Sequence, residues 1–508
     1  MFIIEKQGTE ENLVTSLYQS TRDDQLHVSA KQAIVTGFAA DQGLFVLPDL
    51  GANPFPLEQL AEMDYQMIAQ AVLERLLPDF SQAEIKAAIA AAYDHSFSDS
   101  QITPLQAVGD FQVLELFHGP TAAFKDVGLQ LLPQLMQRAV ATNEQVMVLA
   151  ATSGDTGTAA LNGFRNQAQM GVSVFYPDGG VSPVQQRQML TTTGKNTRVA
   201  AIEGNFDDAQ RNVKQIFNDA KVHEQLTAGT RLSSANSINI GRLIPQVVYY
   251  FSAYQQLLEQ GKIELGDQIN FTVPTGNFGD VLAGFYAKQL GLPIKKLVIA
   301  CNQNNVLADF WQTGTYDRNR PFYQTLAPSM DIQISSNLER LLYYESDGDT
   351  QLVRQLMNDL DRQGKYQVPA TLLEKLRHDF ASGFTTDAEI EATILQVFAD
   401  DHYLMDPHTA TGYHVMRQYQ QADPDTPMVL LSTASPYKFV DAVADAVLGK
   451  HAADAQATTQ QLADYTNVPV PPALQKLWDL TPVQAPRLQP AEMAEWVVRE
   501  TNEVFKHD

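Results

Sequence analysis

From about Ile102 onward, short apolar runs alternate with stretches of helical periodicity, and that alternation restricts the chain more than any single motif. The apolar runs are residues 146–151, 172–176, 197–202, 269–273, 296–300 and 428–431; the helical candidates include 207–222, 238–258 and 278–290. Two strands joined through a helix cannot form a tight hairpin, so the pattern predicts βαβ units. The expected fold class is α/β, with open, mostly parallel sheets carrying helices on both faces. Ligands of such sheets gather beyond the C-terminal strand ends, in the loops that lead into helices. The first hundred residues have a different texture: 57–76 and 81–93 carry apolar residues at helical spacing, which predicts a helical N-terminal domain over residues 1–100. A larger domain is expected from 101–145 and 236–508, with a polar helical lobe at about 331–401 (helices over 337–344, 347–362 and 371–382). A smaller domain is expected from 146–235.

Charge narrows the partners. The 508 residues hold 35 Lys plus Arg against 59 Asp plus Glu, a net charge of −24. Such a chain repels nucleic acid and anionic lipid, so neither is expected as a partner. An anionic substrate would need a small, locally positive pocket. The single cysteine, Cys301, excludes a disulfide framework and a multi-cysteine metal site, and no His or carboxylate spacing suggests another metal. Glu5 and Lys6 interrupt the apolar start of residues 1–8, and no apolar run approaches membrane-spanning length. A soluble, cytoplasmic protein is expected.

Four segments carry chemistry. Directly after the run 146–151 comes Thr152-Ser153-Gly154-Asp155-Thr156-Gly157, followed by a helical stretch. Its glycines let backbone amides approach a ligand, and with Ser153, Thr156 and the helix start they suit a carboxylate or phosphate; taken alone, the motif is equally a turn with a cap. After the run 269–273 comes Pro274-Thr275-Gly276-Asn277-Phe278-Gly279-Asp280, where four consecutive amides at a helix start could cradle a phosphate. No Gly-Lys-Ser or Gly-Lys-Thr follows, so this is not a nucleotide-binding P-loop. Ser432 and Thr433 end the last apolar run; pairs of this kind are commonly caps. Lys125 stands between Phe124 and Asp126 at the opening of an apolar helix. A lysine there ordinarily snorkels to water, but one buried at that place has a depressed pKa and a nucleophilic amine. An amine, a phosphate cradle, a carboxylate loop and a hydroxyl at a sheet end together are what a pyridoxal phosphate enzyme needs.

The chain also carries Tyr18-Gln19-Ser20-Thr21-Arg22, Asp41-Gln42-Gly43-Leu44-Phe45-Val46, His118-Gly119-Pro120-Thr121 with Phe124-Lys125-Asp126, Ala235-Asn236-Ser237-Ile238-Asn239-Ile240-Gly241-Arg242 and Asp406-Pro407-His408-Thr409-Ala410. With these motifs it resembles the threonine synthases, pyridoxal 5′-phosphate enzymes of fold type II, over nearly its whole length. The resemblance implies conversion of O-phospho-L-homoserine and water into L-threonine and phosphate by β,γ-elimination and replacement, the last step of threonine biosynthesis. The alternatives are a phospholyase releasing 2-oxobutyrate, or a non-catalytic pyridoxal phosphate-binding protein. It further implies that Lys125 bonds the cofactor and shuttles protons. Gly276, Asn277, Phe278 and Gly279, with Asp280 nearby, hold the cofactor phosphate, and Thr433 meets the pyridine nitrogen. The loop Ser153, Gly154, Asp155 and Thr156 binds the substrate carboxylate together with Asn236, while Arg242 and Lys438, with Arg22 as a third candidate, capture the substrate phosphate. Ser435 and Tyr437 depart from the family pattern, which has histidine and a small residue there. A monomer or homodimer is expected.

Overall fold

The computed structural model describes residues 17–204 and 206–506; the expectation for residues 1–8 lies outside them. Two parallel sheets organise the molecule. The larger has six strands in the order Phe380–Phe384, Ile294–Cys301, Ile269–Pro274, Met428–Ser432, Phe111–Glu115, Leu105–Val108, parallel throughout except for the last pair. Its centre is Ile269–Pro274, buried at all six positions, with Phe271 against Leu297 on one side and Val429 on the other. A strand covered on both faces must be apolar throughout, which is why it is a continuous run. The smaller sheet runs Arg487–Leu488, Thr197–Ile202, Met170–Pro177, Gln145–Ala151, Thr230–Ser234, all parallel.

Helical periodicity marks the helices well, and capping chemistry sets their ends. Ser81 accepts from the Glu84 amide while the Glu84 carboxylate accepts from the Ser81 amide at 2.7 Å, a reciprocal box that opens Gln82–Tyr93. That helix buries Ile85, Ala88, Ile89, Ala92 and Tyr93. The 57–76 candidate divides into a 3-10 turn, Leu57–Glu62, and the helix Tyr65–Leu76, because Asp64 caps the Met67 amide. The 207–222 candidate ends at Asn218, and Asp219 caps a second short helix, Ala220–Gln225. In 238–258, Pro245 cannot donate to a helical ladder, and a 3-10 turn, Ile244–Gln246, separates Ile240–Leu243 from Val247–Glu259.

Three expectations are corrected. The N-terminal part is not purely helical: it opens on a three-stranded antiparallel sheet of Asp23–Val28, Tyr18–Ser20 and Phe45–Val46, the last two too short for a periodicity signal and the first largely polar. The 331–401 lobe is not a separate helical body. Phe380–Phe384 pairs in parallel with Ile294–Cys301 as an edge strand, its Ser382 and Gly383 disguising it in sequence. Finally, residues 236–508 do not all lie with the larger sheet. Ala201 and Ile202 pair with Arg487 and Leu488, and the helix Met493–Val504 packs Trp496 on Phe175, ring centres 5.2 Å apart.

The helix that matters most is Lys125–Ala139. Its apolar face puts Leu129, Leu132, Leu135 and Met136 into the main core, each fully buried. Asp155–Phe164 lies directly on it: a Cβ on Gly163 would stand 1.9 Å from the Leu129 carbonyl oxygen, so only glycine permits the approach. No described helix is long and apolar enough to cross a membrane.

Candidate active site

The loops following Gln145–Ala151, Ile269–Pro274 and Met428–Ser432, together with the start of Lys125–Ala139, open into one cavity of about 800 Å³ including its mouth. Of the residues predicted from sequence, the cavity wall holds Lys125, Ser153, Asp155, Thr156, Asn236, Arg242, Gly276, Asn277, Phe278, Gly279, Asp280 and Thr433. Gly154 and Lys438 are not in it.

Lys125 reaches this wall because the loop before it is tied down. The Phe124 amide donates to the Thr433 carbonyl at 2.8 Å, and the Ser435 amide to the Ala122 carbonyl at 3.0 Å, so the loop adds to the end of the last strand. Ala122 has φ +58°, a left-handed conformation costly for a residue with a Cβ. Asp126 anchors the turn from inside, accepting from the Thr121 amide and hydroxyl at 2.9 and 2.7 Å. Lys125 Nζ stands 3.3 Å from Asp155 Oδ2 and 5.0 Å from the Phe124 ring centre. Burial pulls its pKa down; Asp155 opposes that, and the fields of Arg242 and Lys438 reinforce it. A lysine biased toward the free amine is what a carbonyl-capturing group requires.

The cradle is built of donors. Among the described residues, nothing accepts from the amides of Gly276, Asn277, Phe278, Gly279 or Asp280, and all five residues face the cavity. Phe278 takes φ +66°, a left-handed turn at the start of Gly279–Gln289. The carbonyls behind them are held: Ser335 Oγ donates to Gly276 O at 2.7 Å, and the Asn337 amide and Nδ2 both donate to Asn277 O at 3.0 Å. Unpaired buried amides at a helix start fit a phosphate. The Thr433 hydroxyl has no partner among the described residues, and its residue faces the same cavity. The donor set therefore fits pyridoxal phosphate.

In the 152–157 loop, Thr152 Oγ1 consumes the Gly154 and Gly157 amides at 2.8 and 2.9 Å, leaving the Ser153 and Thr156 amides and hydroxyls for a ligand. Gly154 has a shaping role instead: its φ is +133°, and a Cβ there would lie 2.3 Å from the Gln185 side chain. The Asp155 side chain is a counter-ion and offers no donor to a substrate carboxylate. It faces Lys438 Nζ at 2.9 Å, Lys125 at 3.3 Å and the Gln185 amide at 2.7 Å. Burial alone would raise its pKa, but Lys438, then Lys125 and His408, overcome this and hold the carboxylate well below its usual range. Asn236 Nδ2 donates to Ala151 O at 2.9 Å, leaving its side-chain oxygen free of any described partner.

The three cations differ in what already holds them. Arg242 is buried in the wall, donates to Ala235 O at 3.0 Å and pairs with no carboxylate among the described residues; burial pushes it down to about 10. Lys438 is sealed off, fully buried, its ammonium spent on Asp155 and on Thr121 O at 2.8 Å. Arg22 grips Glu339 with two bonds of 2.8 Å. Ser435 and Tyr437, the departures from family pattern, are structural: Ser435 caps the turn Pro436–Phe439 and Tyr437 Oη donates to Val468 O at 2.6 Å.

Sequence reasoning passed over Gln246, Ser329 and His408, all in the wall. His408 Nδ1 meets Asp406 Oδ1 at 2.7 Å, and Nε2 receives the Ser329 amide at 3.1 Å. Both ring nitrogens are thus occupied, and the imidazole fastens the 329 segment to the wall. The motif at 406–410 was the available signal for it.

Known proteins bear on these residues. Family models match at 17–93 (threonine synthase N terminus), 103–355 (pyridoxal-phosphate dependent enzyme) and 409–481 (threonine synthase, C-terminal). The human "threonine synthase-like 1" is 39% identical over 492 residues, covering 93% of this chain and 66% of that protein; the chain thus spans about two thirds of the mammalian relatives it matches. Threonine synthase of Pseudomonas aeruginosa is 38% identical over 453 residues, covering 88% of this chain and 93% of that one. The structure of pyridoxal phosphate-bound threonine synthase from Brucella melitensis superposes with a TM-score of 0.84 at 38% identity, covering 96% and 99% of the two chains. Fold and site therefore define a pyridoxal phosphate-dependent enzyme of fold type II. Within that class, the chain belongs to the threonine synthase family.

Proposed function

We propose that the enzyme converts O-phospho-L-homoserine and water into L-threonine and phosphate. The observation that carries this reading is the unpaired guanidinium of Arg242 in the same wall as Lys125 and the amide cradle. A second anion site beside the cofactor site suits an amino acid that itself bears phosphate, and Arg is suited to bidentate phosphate binding.

Pyridoxal phosphate supplies an aldehyde that captures amino groups and a ring that stabilises charge developing at the adjoining carbons. The chain's residues do the rest. The amides of Gly276, Asn277, Phe278 and Gly279 would hold the cofactor phosphate, and Lys125 its aldehyde carbon. Thr433 would hydrogen-bond the ring nitrogen; a hydroxyl, unlike a carboxylate, does not force that nitrogen to stay protonated. The donors of Ser153 and Thr156 would orient the substrate carboxylate, with Asn236 alongside. Lys125 Nζ, as a free amine, would take a proton from substrate Cα and then one from Cβ, return one at Cγ once phosphate has left, and return one at Cα after water has added its oxygen at Cβ. Arg242 would receive the phosphate leaving Cγ. Asp155, ionised throughout, would balance the lysines as protons move.

The test is product analysis: holoenzyme with O-phosphohomoserine should release threonine and phosphate in equal amounts. Release of 2-oxobutyrate and ammonia instead would make it a phospholyase on the same scaffold. The Arg242→Lys variant should raise KM for the phosphorylated substrate more than tenfold, because a point charge replaces a bidentate fork.

A further inference from the structure

Asp280 has an arrangement that the amide cradle alone does not explain. It is the second residue of Gly279–Gln289 and is buried in the cavity wall. Its Oδ1 accepts two hydroxyls from the Val247–Glu259 helix, Tyr249 at 2.5 Å and Tyr250 at 3.0 Å. Its Oδ2 is buried and, among the described residues, has no partner at all. An unpartnered buried carboxyl oxygen is costly, and more so if charged. The neighbouring cradle amides are all free to donate, yet none turns to Oδ2.

We propose that Asp280 is a neutral carboxylic acid whose Oδ2–H donates to an oxygen of the phosphoryl group seated on the amides of Gly276 to Gly279. The proposal rests on the reading of those amides as the cofactor's phosphate site. An ionised carboxylate at this position would face a phosphate dianion across a buried wall, and like charges at such range repel strongly. The neutral acid reverses that sign: it completes a ring of donors in which the amides have no acceptor of their own. Other elements present Tyr249, Tyr250 and Lys125 to it. Burial pushes the carboxyl up to about 7 against the tyrosine hydroxyls and Lys125, which all pull it down. Phosphate binding adds a negative field and pushes it higher still. Asp280 thus makes the cradle selective for a phosphate ester that accepts a proton-bearing partner, and makes cofactor retention depend on pH.

The sign follows from linkage. The form that binds is protonated, so cofactor affinity is full below about pH 7 and falls as pH rises through the carboxyl's pKa in the unliganded enzyme, by up to about tenfold per pH unit. The experiment resolves the cofactor from the enzyme and titrates it back, following tryptophan fluorescence between about pH 6 and about pH 8. Pyridoxal phosphate and phosphate-free pyridoxal are each used with wild type, Asp280→Asn and Asp280→Ala. Asn keeps a neutral donor: Asp280→Asn is expected to hold pyridoxal phosphate within about threefold of wild type at about pH 6 and to lack the alkaline fall. Asp280→Ala is expected to bind about tenfold more weakly than Asp280→Asn, one hydrogen bond's worth. The ³¹P resonance of the bound cofactor should show a titration step in wild type that Asp280→Asn lacks. Should Asp280→Ala fail to fold, the comparison of wild type with Asp280→Asn carries the test. An alkaline fall and ³¹P titration retained in Asp280→Asn would overturn the proposal while leaving the cradle intact. Pyridoxal binding wild type as tightly as its phosphate ester would overturn the cradle itself, and this proposal with it.

Discussion

Lys125 is the residue whose loss separates chemistry from fold. Lys125→Ala is expected to abolish the absorption band of the resting holoenzyme at about 410–420 nm while the unfolding midpoint barely moves, because its ammonium is desolvated in the wild type and alanine removes that cost. Asp155 is the opposite case. Asp155→Asn leaves Lys438, fully buried, without its charge partner, and should cost about 3–5 kcal/mol in urea unfolding. Two other carboxyls give the apoenzyme a pH signature. Asp126 is raised by burial to about 6 and Asp280, also by burial, to about 7. Raised acids contribute stability that is fully present below the unfolded pKa of about 4 and lost as pH rises through the folded values. Thermal unfolding of the apoenzyme should therefore show stability falling from about pH 4 toward about pH 7, with Asp126→Asn removing the lower part of the fall. At this scale the sequence was partly legible. A lysine opening an apolar helix and amide-rich turns after strands are local features, so Lys125 and Gly276 could be found. Which cations are free is not local: Arg22 meets Glu339, 317 positions away in the chain, and Lys438 meets Asp155 across the site.

At the scale of elements, Lys125 is positioned by one helix resting on another. Gly163→Ala puts a methyl group 1.9 Å from the Leu129 carbonyl oxygen, so Asp155–Phe164 and Lys125–Ala139 must part. A loss of about 3 kcal/mol is expected by urea denaturation, with weaker cofactor retention because both helices carry cavity residues. The cradle has a similar support. Ser335→Ala removes the donor to Gly276 O and should speed cofactor release about tenfold, measured by dialysis against a trapping amine. Continuous apolar runs made the buried strands legible, since a strand covered on both faces can be little else. The 371–382 helix candidate takes in the first three residues of Phe380–Phe384, because the strand's burial is partial and Ser-Gly breaks its apolar run. The support that Ser335 and Asn337 give the cradle had no sequence signature, since it consists of hydrogen bonds to backbone carbonyls.

For the whole molecule, the net charge of −24 would set the approach of the proposed anionic substrate. The long-range field would oppose the encounter of the proposed phosphorylated substrate, and the Arg242 guanidinium in the cavity wall would counter it at short range. Raising ionic strength from about 10 to about 100 mM should therefore increase kcat/KM for a phosphorylated substrate while leaving kcat nearly constant, as screening removes the repulsion. Topology has its own effect. The edge pairing of Ala201 with Arg487 joins segments far apart along the chain, and the helix Met493–Val504 closes the same sheet. During synthesis, the smaller sheet waits with an open edge until residues 487–504 have emerged, long after its other strands. The 152–157 loop that lines the cavity grows from that sheet, so this part of the wall gains its full support only once residues 487–504 are in place.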